Sequence, residues 1–392
     1  MNKPETIDKA ATLGFDPQGL QRLERAVEQD VAAGKYDGAV LHIARGGEPV
    51  FEAAIGYADR AKGRELGADD VFLTFSIAKQ FTHALILNRI ERGELALATR
   101  VAEVIPEFAC RGKERITIFH VLTHTAGLTL KLPMMDPMQM GNLQATVAAS
   151  CASVVESVPG ERVYYSGIVG TAILAGVLRR LDGGKRSYRD LLAQDLFAPL
   201  GMKDTALGLR ADLAARFCPV VARDRRPGLS LAEEYEMFGA MVGPEAEIPS
   251  LGCVTTAADL ARFAEMLRAG GTLGAARILA PATVELAMRN HTGDKVNETW
   301  AYALETRGWK PWPAYLGLGV YLRGEGAQVA PFGSLASPHT FGGLGAGSTM
   351  FWVDPERDLA FVFLSTGLIT DESYNVERMA RISDLAIAAL SR

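Results

Sequence analysis

The segments with strand character cluster at the two ends of this 392-residue chain, with a long helical stretch between them. Near the N-terminus, Gly38-Ala-Val-Leu-His-Ile-Ala-Arg and Pro49-Val-Phe-Glu-Ala-Ala-Ile-Gly read as two strands turning at Gly46-Gly47, a pair that tolerates the backbone of a tight hairpin. Beyond Trp300, β-prone runs return at Gly317 to Leu322, Ser348 to Val353 and Leu359 to Leu364. A two-stranded hairpin is marginal alone in water. The N-terminal pair is therefore expected to join the C-terminal runs in one antiparallel sheet, and the intervening chain must loop out.

The helical signals fit that plan. From Asp16 to Ala33, Leu20, Leu23, Val27 and Val31 recur at helical spacing and Gly34 supplies a stop. A final helix is expected from about Asn375 to Leu390. Helical periodicity in the middle covers Ser76 to Arg92, Ile168 to Arg180 and Ala257 to Arg268. The expected fold is α/β in the α+β sense: an antiparallel sheet flanked by terminal helices, with an inserted, mostly helical lobe. Residues 1–70 and 268–392 would form the discontinuous sheet domain and residues 71–267 the helical domain, with the active site in the groove between them. Proline-rich patches near Leu132 to Pro137 and Lys310 to Pro313 read as loops and candidate cleft walls.

Composition narrows the partners. The 46 acidic and 41 basic residues give a net charge of -5 without a block of either sign, which argues against nucleic acid. The small cluster Arg223, Arg225 and Arg226 reads as a solvated loop. Met1 to Gly14 lacks a basic stretch followed by an apolar run, and no segment stays apolar for about 18 residues. A soluble, cytoplasmic protein without membrane contact is expected. Cys110, Cys151, Cys218 and Cys253 are widely spaced and form no CxxC pair, so reduced thiols are the expectation. His120 and His124 stand four apart without a third ligand nearby in sequence and read as structural, leaving no metal or organic cofactor implied.

Three motifs could carry chemistry. Thr74-Phe-Ser76-Ile-Ala-Lys79 sets a serine and a lysine three apart at the start of a helix, hence on one face. A serine hydroxyl needs a proton acceptor before it attacks, and a desolvated lysine can be neutral enough to serve. Pro159-Gly-Glu-Arg-Val-Tyr164-Tyr165-Ser166-Gly167 leads from a turn into an apolar helix. There Tyr165 could face a cleft and, if cations such as Lys79 lowered its pKa, act as a phenolate base. His339-Thr-Phe-Gly342-Gly343-Leu344-Gly345-Ala346-Gly347 feeds a strand, and its glycines would let backbone approach a substrate closely.

Together with His120-Val-Leu-Thr-His124-Thr-Ala-Gly-Leu, Thr255-Thr-Ala-Ala-Asp259 and Trp352-Val-Asp-Pro, these motifs resemble, in order and spacing, the serine β-lactamase-like superfamily. More narrowly, the chain is similar to the family VIII carboxylesterases, relatives of class C β-lactamases and penicillin-binding proteins. The resemblance runs from about Phe15 to the C-terminal helix. It implies that Ser76 is acylated, that Lys79 is its partner, and that Tyr165 is the base. It also implies backbone N–H groups of Ser76 and Ala346 as the oxyanion hole, with Gly343, Leu344, Gly345 and His339 along the substrate groove.

Two departures bear on substrate. Gly343 replaces the cation or bulky ring of relatives, and Gly167 stands where β-lactamases carry an Asn. Loss of both groups argues against efficient β-lactam hydrolysis, leaving at most a weak activity, and the missing side chain at Gly343 is expected to leave room in the groove. The expected reaction is hydrolysis of a small or medium carboxylic ester through a covalent acyl-enzyme. Acyl transfer to an alcohol, amide or D-peptide cleavage, and a non-catalytic penicillin-binding sensor are the alternatives. The acid-rich segment Ala232 to Phe238 is a candidate for the groove mouth; oligomeric state is left open.

Overall fold

A computed structural model describes residues 4–130, 132, 135–226, 228–326 and 330–391. Part of the proline-rich patch from Leu132 to Pro137 lies outside these residues. Seven strands make the main sheet: β1 (Gly38–Arg45), β2 (Glu48–Asp59), β3 (Arg64–Glu65), β4 (Tyr321–Leu322), β5 (Phe341–Gly345), β6 (Thr349–Asp354) and β7 (Leu359–Thr366). Their order is β4-β5-β6-β7-β1-β2-β3, and every neighbouring pair is antiparallel. The two ends of the chain meet at β1 and β7, where Gly38 lies opposite Thr366 and Arg45 opposite Leu359.

Side-chain alternation splits the sheet into two apolar faces. Phe361 and Phe363 of β7 join Leu41 and Ile43 of β1 on one face, whereas Ala360, Val362 and Leu364 join Val40 on the other. Helices α1 (Pro17–Ala32) and α7 (Glu372–Ile387) cover the first face. Asp16 caps α1 by accepting hydrogen bonds from the backbone N–H of Gln18 and Gly19, and Pro17 begins the helix with its φ already set. Leu20, Leu23, Val27 and Val31 are buried as the periodicity predicts. On α7, Val376, Met379 and Ile382 are buried, and Ser383 Oγ accepts the Trp352 indole N–H at 3.0 Å.

The segment between β3 and β4 carries α2 (Ala78–Glu91), α3 (Leu143–Ala152), α4 (Gly167–Leu181), α5 (Ala232–Met241) and α6 (Ala257–Arg268). Helices α2, α3 and α4 share one core with the second sheet face. Helix α6, which periodicity placed in the helical stretch, packs directly on β1, β6 and β7. Its Phe263 ring meets Phe351 of β6 edge-on at 5.7 Å. Among the described residues no helix is long and apolar enough to cross a membrane.

Local differences from the sequence expectation have physical causes. The glycine-rich run Phe341–Gly345 is itself a strand rather than a loop feeding one, because both its edges are paired. Of the Gly317 to Leu322 run only Tyr321–Leu322 joins the sheet, since Gly319 adopts φ +80 in a turn. Helix α7 starts at Glu372, one turn before the periodic stripe begins, because the cap is set by Asp371 accepting from the Tyr374 N–H. The cluster of Arg223, Arg225 and Arg226 is ion-paired to Asp37, to Glu233 and Glu236, and to Asp224.

Trp352 is fully buried, stacks on Phe361 at 5.0 Å and ties α7 to the sheet. Trp352→Ala is expected to cost about 3–5 kcal/mol, read as a clear fall in the urea midpoint of equilibrium unfolding.

Candidate active site

The groove is lined from both sides of the molecule. From the helical side come Phe75, Ser76, Lys79, Tyr165, Gly167 and Tyr235; from the sheet side come Tyr321, Leu344, Gly345, Ala346 and Gly347. The pocket contains about 940 Å³ of non-atom space, part of it open to solvent. The short strand Phe72–Leu73 pairs with Cys253–Thr255 and delivers the chain to a 3₁₀ turn, Phe75–Ile77, that runs into α2. Phe75 has φ +47, a left-handed conformation that costs a non-glycine residue about 1–3 kcal/mol. Its ring is buried and meets Tyr235 edge-on at 5.9 Å, so packing holds the strained turn and fixes the residue that follows, Ser76.

Ser76, Lys79 and Tyr165 converge on one oxygen. Lys79 Nζ and the Tyr165 hydroxyl each lie 2.9 Å from Ser76 Oγ. Lys79 Nζ also donates to the Ser250 carbonyl at 2.6 Å. No carboxylate contacts the buried amine among the described residues, and dehydration alone pulls its pKa down to about 7. Near neutral pH a large fraction is the free amine. Its lone pair can then accept the Ser76 proton while one N–H stays on Ser250.

Tyr165 behaves differently from the phenolate expected on sequence grounds. Burial pushes its pKa above the ordinary phenol value, and only the Ser76 hydrogen bond opposes this. With its charge disfavoured, the phenol donates to Ser76 Oγ, an arrangement in which Lys79 can accept the serine proton. Position is set by neighbours: Thr299 Oγ1 accepts the Tyr165 backbone N–H at 2.7 Å, and the His124 ring lies against the phenol ring at 4.6 Å. His124 is buried and its pKa falls to about 3, mainly through dehydration.

The glycines that mark departures from relatives are positions of close approach. A Cβ at Gly167 would sit 2.6 Å from the Tyr165 ring and 2.9 Å from Lys79 Cε. One at Gly345 would overlap Thr74 O and Thr349 Oγ1. That absence lets β5 lie against the turn carrying Ser76, and Thr349 Oγ1 adds a hydrogen bond to Thr74 O at 2.9 Å. Gly343 does not open the groove as expected. Its missing side chain is replaced by Gln80, whose Oε1 would lie 2.7 Å from an added Cβ, and by the Phe351 ring at 2.8 Å. Leu344, Gly345 and Ala346 line the pocket, whereas Gly343 faces this interior. His339 is likewise placed elsewhere: it lies on an exposed loop, 72% accessible, with Nδ1 2.6 Å from Glu356 Oε1. A carboxylate on the same outer surface has captured it.

Of the acid-rich segment, Tyr235 and Phe238 face the pocket, while Glu233 and Glu236 turn outward to Arg225. Pocket residues that sequence reasoning missed include Ser250, Thr299, Tyr321, Glu372 and Asn375. Ser250 acts through its carbonyl, which leaves no side-chain signature. Glu372 and Asn375 sit in the first turn of α7; the helix expected on sequence grounds begins only at about Asn375 and packs on the sheet.

A serine in the turn that opens α2, a buried lysine in the first turn of that helix, a tyrosine just ahead of α4, and a groove against an antiparallel sheet together define a serine β-lactamase-like protein. The family model described as Beta-lactamase matches residues 23–386, and the chain belongs to that family. It is 30% identical over 341 residues to "Penicillin-binding protein 4" of Amycolatopsis lactamdurans, covering 82% of this chain and 84% of that one. It is 26% identical over 369 residues to "Esterase/beta-lactamase LipL" of Mycobacterium tuberculosis, covering 86% and 78%. Among solved structures, a penicillin-binding protein homologue from Caulobacter crescentus superposes with a TM-score of 0.78 at 27% identity, covering 96% of this chain and 99% of that one.

Because dehydration sets the Lys79 pKa near 7, labelling of Ser76 by a fluorophosphonate should accelerate as pH rises through about 7 and slow below it. Lys79→Met should lower the rate by roughly 10²–10⁴-fold and remove that pH step. Intact-mass time courses between pH 5 and 9 measure both.

Proposed function

We propose that this protein is a serine hydrolase that cleaves small or medium carboxylic esters through an acyl-enzyme on Ser76. The observation that carries the reading is the convergence of Lys79 Nζ and Tyr165 OH on Ser76 Oγ, each at 2.9 Å. In this reading, neutral Lys79 takes the Ser76 proton as Oγ attacks the ester carbonyl. The backbone N–H groups of Ser76 and Ala346, both at the pocket wall, serve in this reading as the oxyanion hole. The departing alkoxide receives a proton through the Tyr165 hydroxyl, which regains one from Lys79. Water then enters and gives a proton to Lys79 as its oxygen attacks the acyl carbon; the bond from that carbon to Oγ breaks, Ser76 Oγ takes the proton back from Lys79, and the acid leaves.

Several features favour a neutral ester over a β-lactam. Gly343 and Gly167 offer no side chain of their own to pair with a substrate carboxylate, and the space beside them is filled by Gln80 and Phe351 and by Tyr165 and Lys79. The remaining walls are largely apolar, with Phe75, Leu130, Ile168, Leu229, Phe238 and Leu251 among them. Any β-lactam hydrolysis is expected to be weak, and the substrate is a small molecule handled without metal or organic cofactor.

Turnover of p-nitrophenyl acetate and butyrate by wild type, and its fall by more than about 10³-fold in Ser76→Ala, is the expected outcome, together with a phosphonate adduct that forms only on wild type. Equal turnover in the variant, or no adduct on wild type, would sink the assignment. Tyr165→Phe should retain the adduct but lower ester kcat by about 10²-fold or more, measured by steady-state kinetics.

A further inference from the structure

At the sheet side of the groove, the first turn of α7 brings two polar side chains, Glu372 and Asn375, to the pocket wall, beside Ser230 and Tyr235. Among the described lining residues Glu372 is the one acid and Lys79 the one base. The Glu372 carboxyl is organised rather than loose. Its Oε1 accepts the Leu229 backbone N–H at 2.8 Å and the Tyr235 hydroxyl at 3.2 Å. Its own backbone N–H also bonds the carboxyl.

The cations nearby are committed to other groups. Arg378 is buried and donates to Ser365 Oγ, the Gly347 carbonyl and Asn375 Oδ1, with its guanidinium over the Tyr36 and Phe363 rings. Arg226 pairs with Asp224 and Asp371 and lies over the Tyr374 ring. Asn375 Oδ1 is engaged by Arg378, which leaves the Asn375 amide N–H₂ for the pocket. The Glu372 carboxyl is thus held by neutral donors, and among the described residues no cation pairs with it. Burial raises its pKa to about 7, the hydrogen bonds from Leu229, from its own backbone N–H and from Tyr235 only partly offset this, and the neighbouring Asp371 adds to the rise. A half-buried carboxyl in an apolar pocket gains most from a ligand that brings the missing charge.

We propose that Glu372 makes this groove selective for esters that carry a protonated amine or quaternary ammonium group. The proposal rests on the acyl-enzyme reading above and names the substrate class of that site. Glu372 is a specificity residue: it binds the charged end of the substrate and takes no part in the proton transfers at Ser76.

The test uses two matched ester pairs that differ in charge and little in shape. One pair is p-nitrophenyl 6-aminohexanoate and p-nitrophenyl heptanoate, with the charge on the acyl side. The other is butyrylcholine and 3,3-dimethylbutyl butyrate, with the charge on the alcohol side. For each pair the ratio of kcat/KM, cationic over neutral, is measured on wild type and on Glu372→Gln, which keeps an oxygen for Leu229 and Tyr235. The expected result is a wild-type ratio of about 10 or more in at least one pair, carried by KM, that collapses toward unity in the variant. Ratios near unity in both pairs on wild type would overturn the proposal, and that result does not depend on the variant folding. A high ratio that survives in Glu372→Gln would overturn the assignment to Glu372. Failure of the underlying reading looks different: no ester of either pair turns over and no phosphonate adduct forms on Ser76, which overturns the ester assignment and this one with it.

Discussion

Eight residue pairs, from Gly38 opposite Thr366 to Arg45 opposite Leu359, join segments more than 300 positions apart in sequence. This β1–β7 pairing closes the sheet, and the rest of the molecule is arranged by it. Once it forms, α1 and α7 are brought to one face and α6 to the other. The chain between β3 and β4 must leave and return at the sheet's edges. Long-range strand pairing has a high loop-closure cost, offset here by burying both faces of β7 along its whole length.

The groove follows from where that excursion touches the sheet. Gly345 has no side chain, so β5 abuts the turn that precedes Ser76, and Thr349 Oγ1 is bonded to Thr74 O. The strained Phe75 and its contact with Tyr235 hold the other side. Ser76 and Tyr165 sit in short connections held by rigid elements on both flanks, while helices α5 and α7 and strand β5 supply further residues of the pocket wall. Tyr235 serves both ends of the groove, since its ring supports Phe75 and its hydroxyl bonds Glu372.

Much of this was legible in the chain. The hairpin at Gly46-Gly47, the stripe Leu20, Leu23, Val27 and Val31, and the buried run Leu359 to Leu364 each carry a local periodic signal strong enough to name the element. Ser76 and Lys79 were readable because one helical turn separates them, and Tyr165 because a turn signal precedes it. Gly343 and His339 were misplaced for a different reason. Strand alternation aims Gly343 at Gln80, and an ion pair with Glu356 holds His339 outside; both depend on neighbours distant in sequence. Ser250 was invisible because a backbone carbonyl has no residue type. Glu372 and Asn375 were missed because their meaning arises only when α7 lies beside the groove.

Lys79 has a hydroxyl and a carbonyl for partners, and its proton affinity is set by the removal of water rather than by a nearby charge. One consequence follows: added salt has little to screen at Lys79, because no ion pair among the described residues fixes the amine's protonation and burial alone sets it.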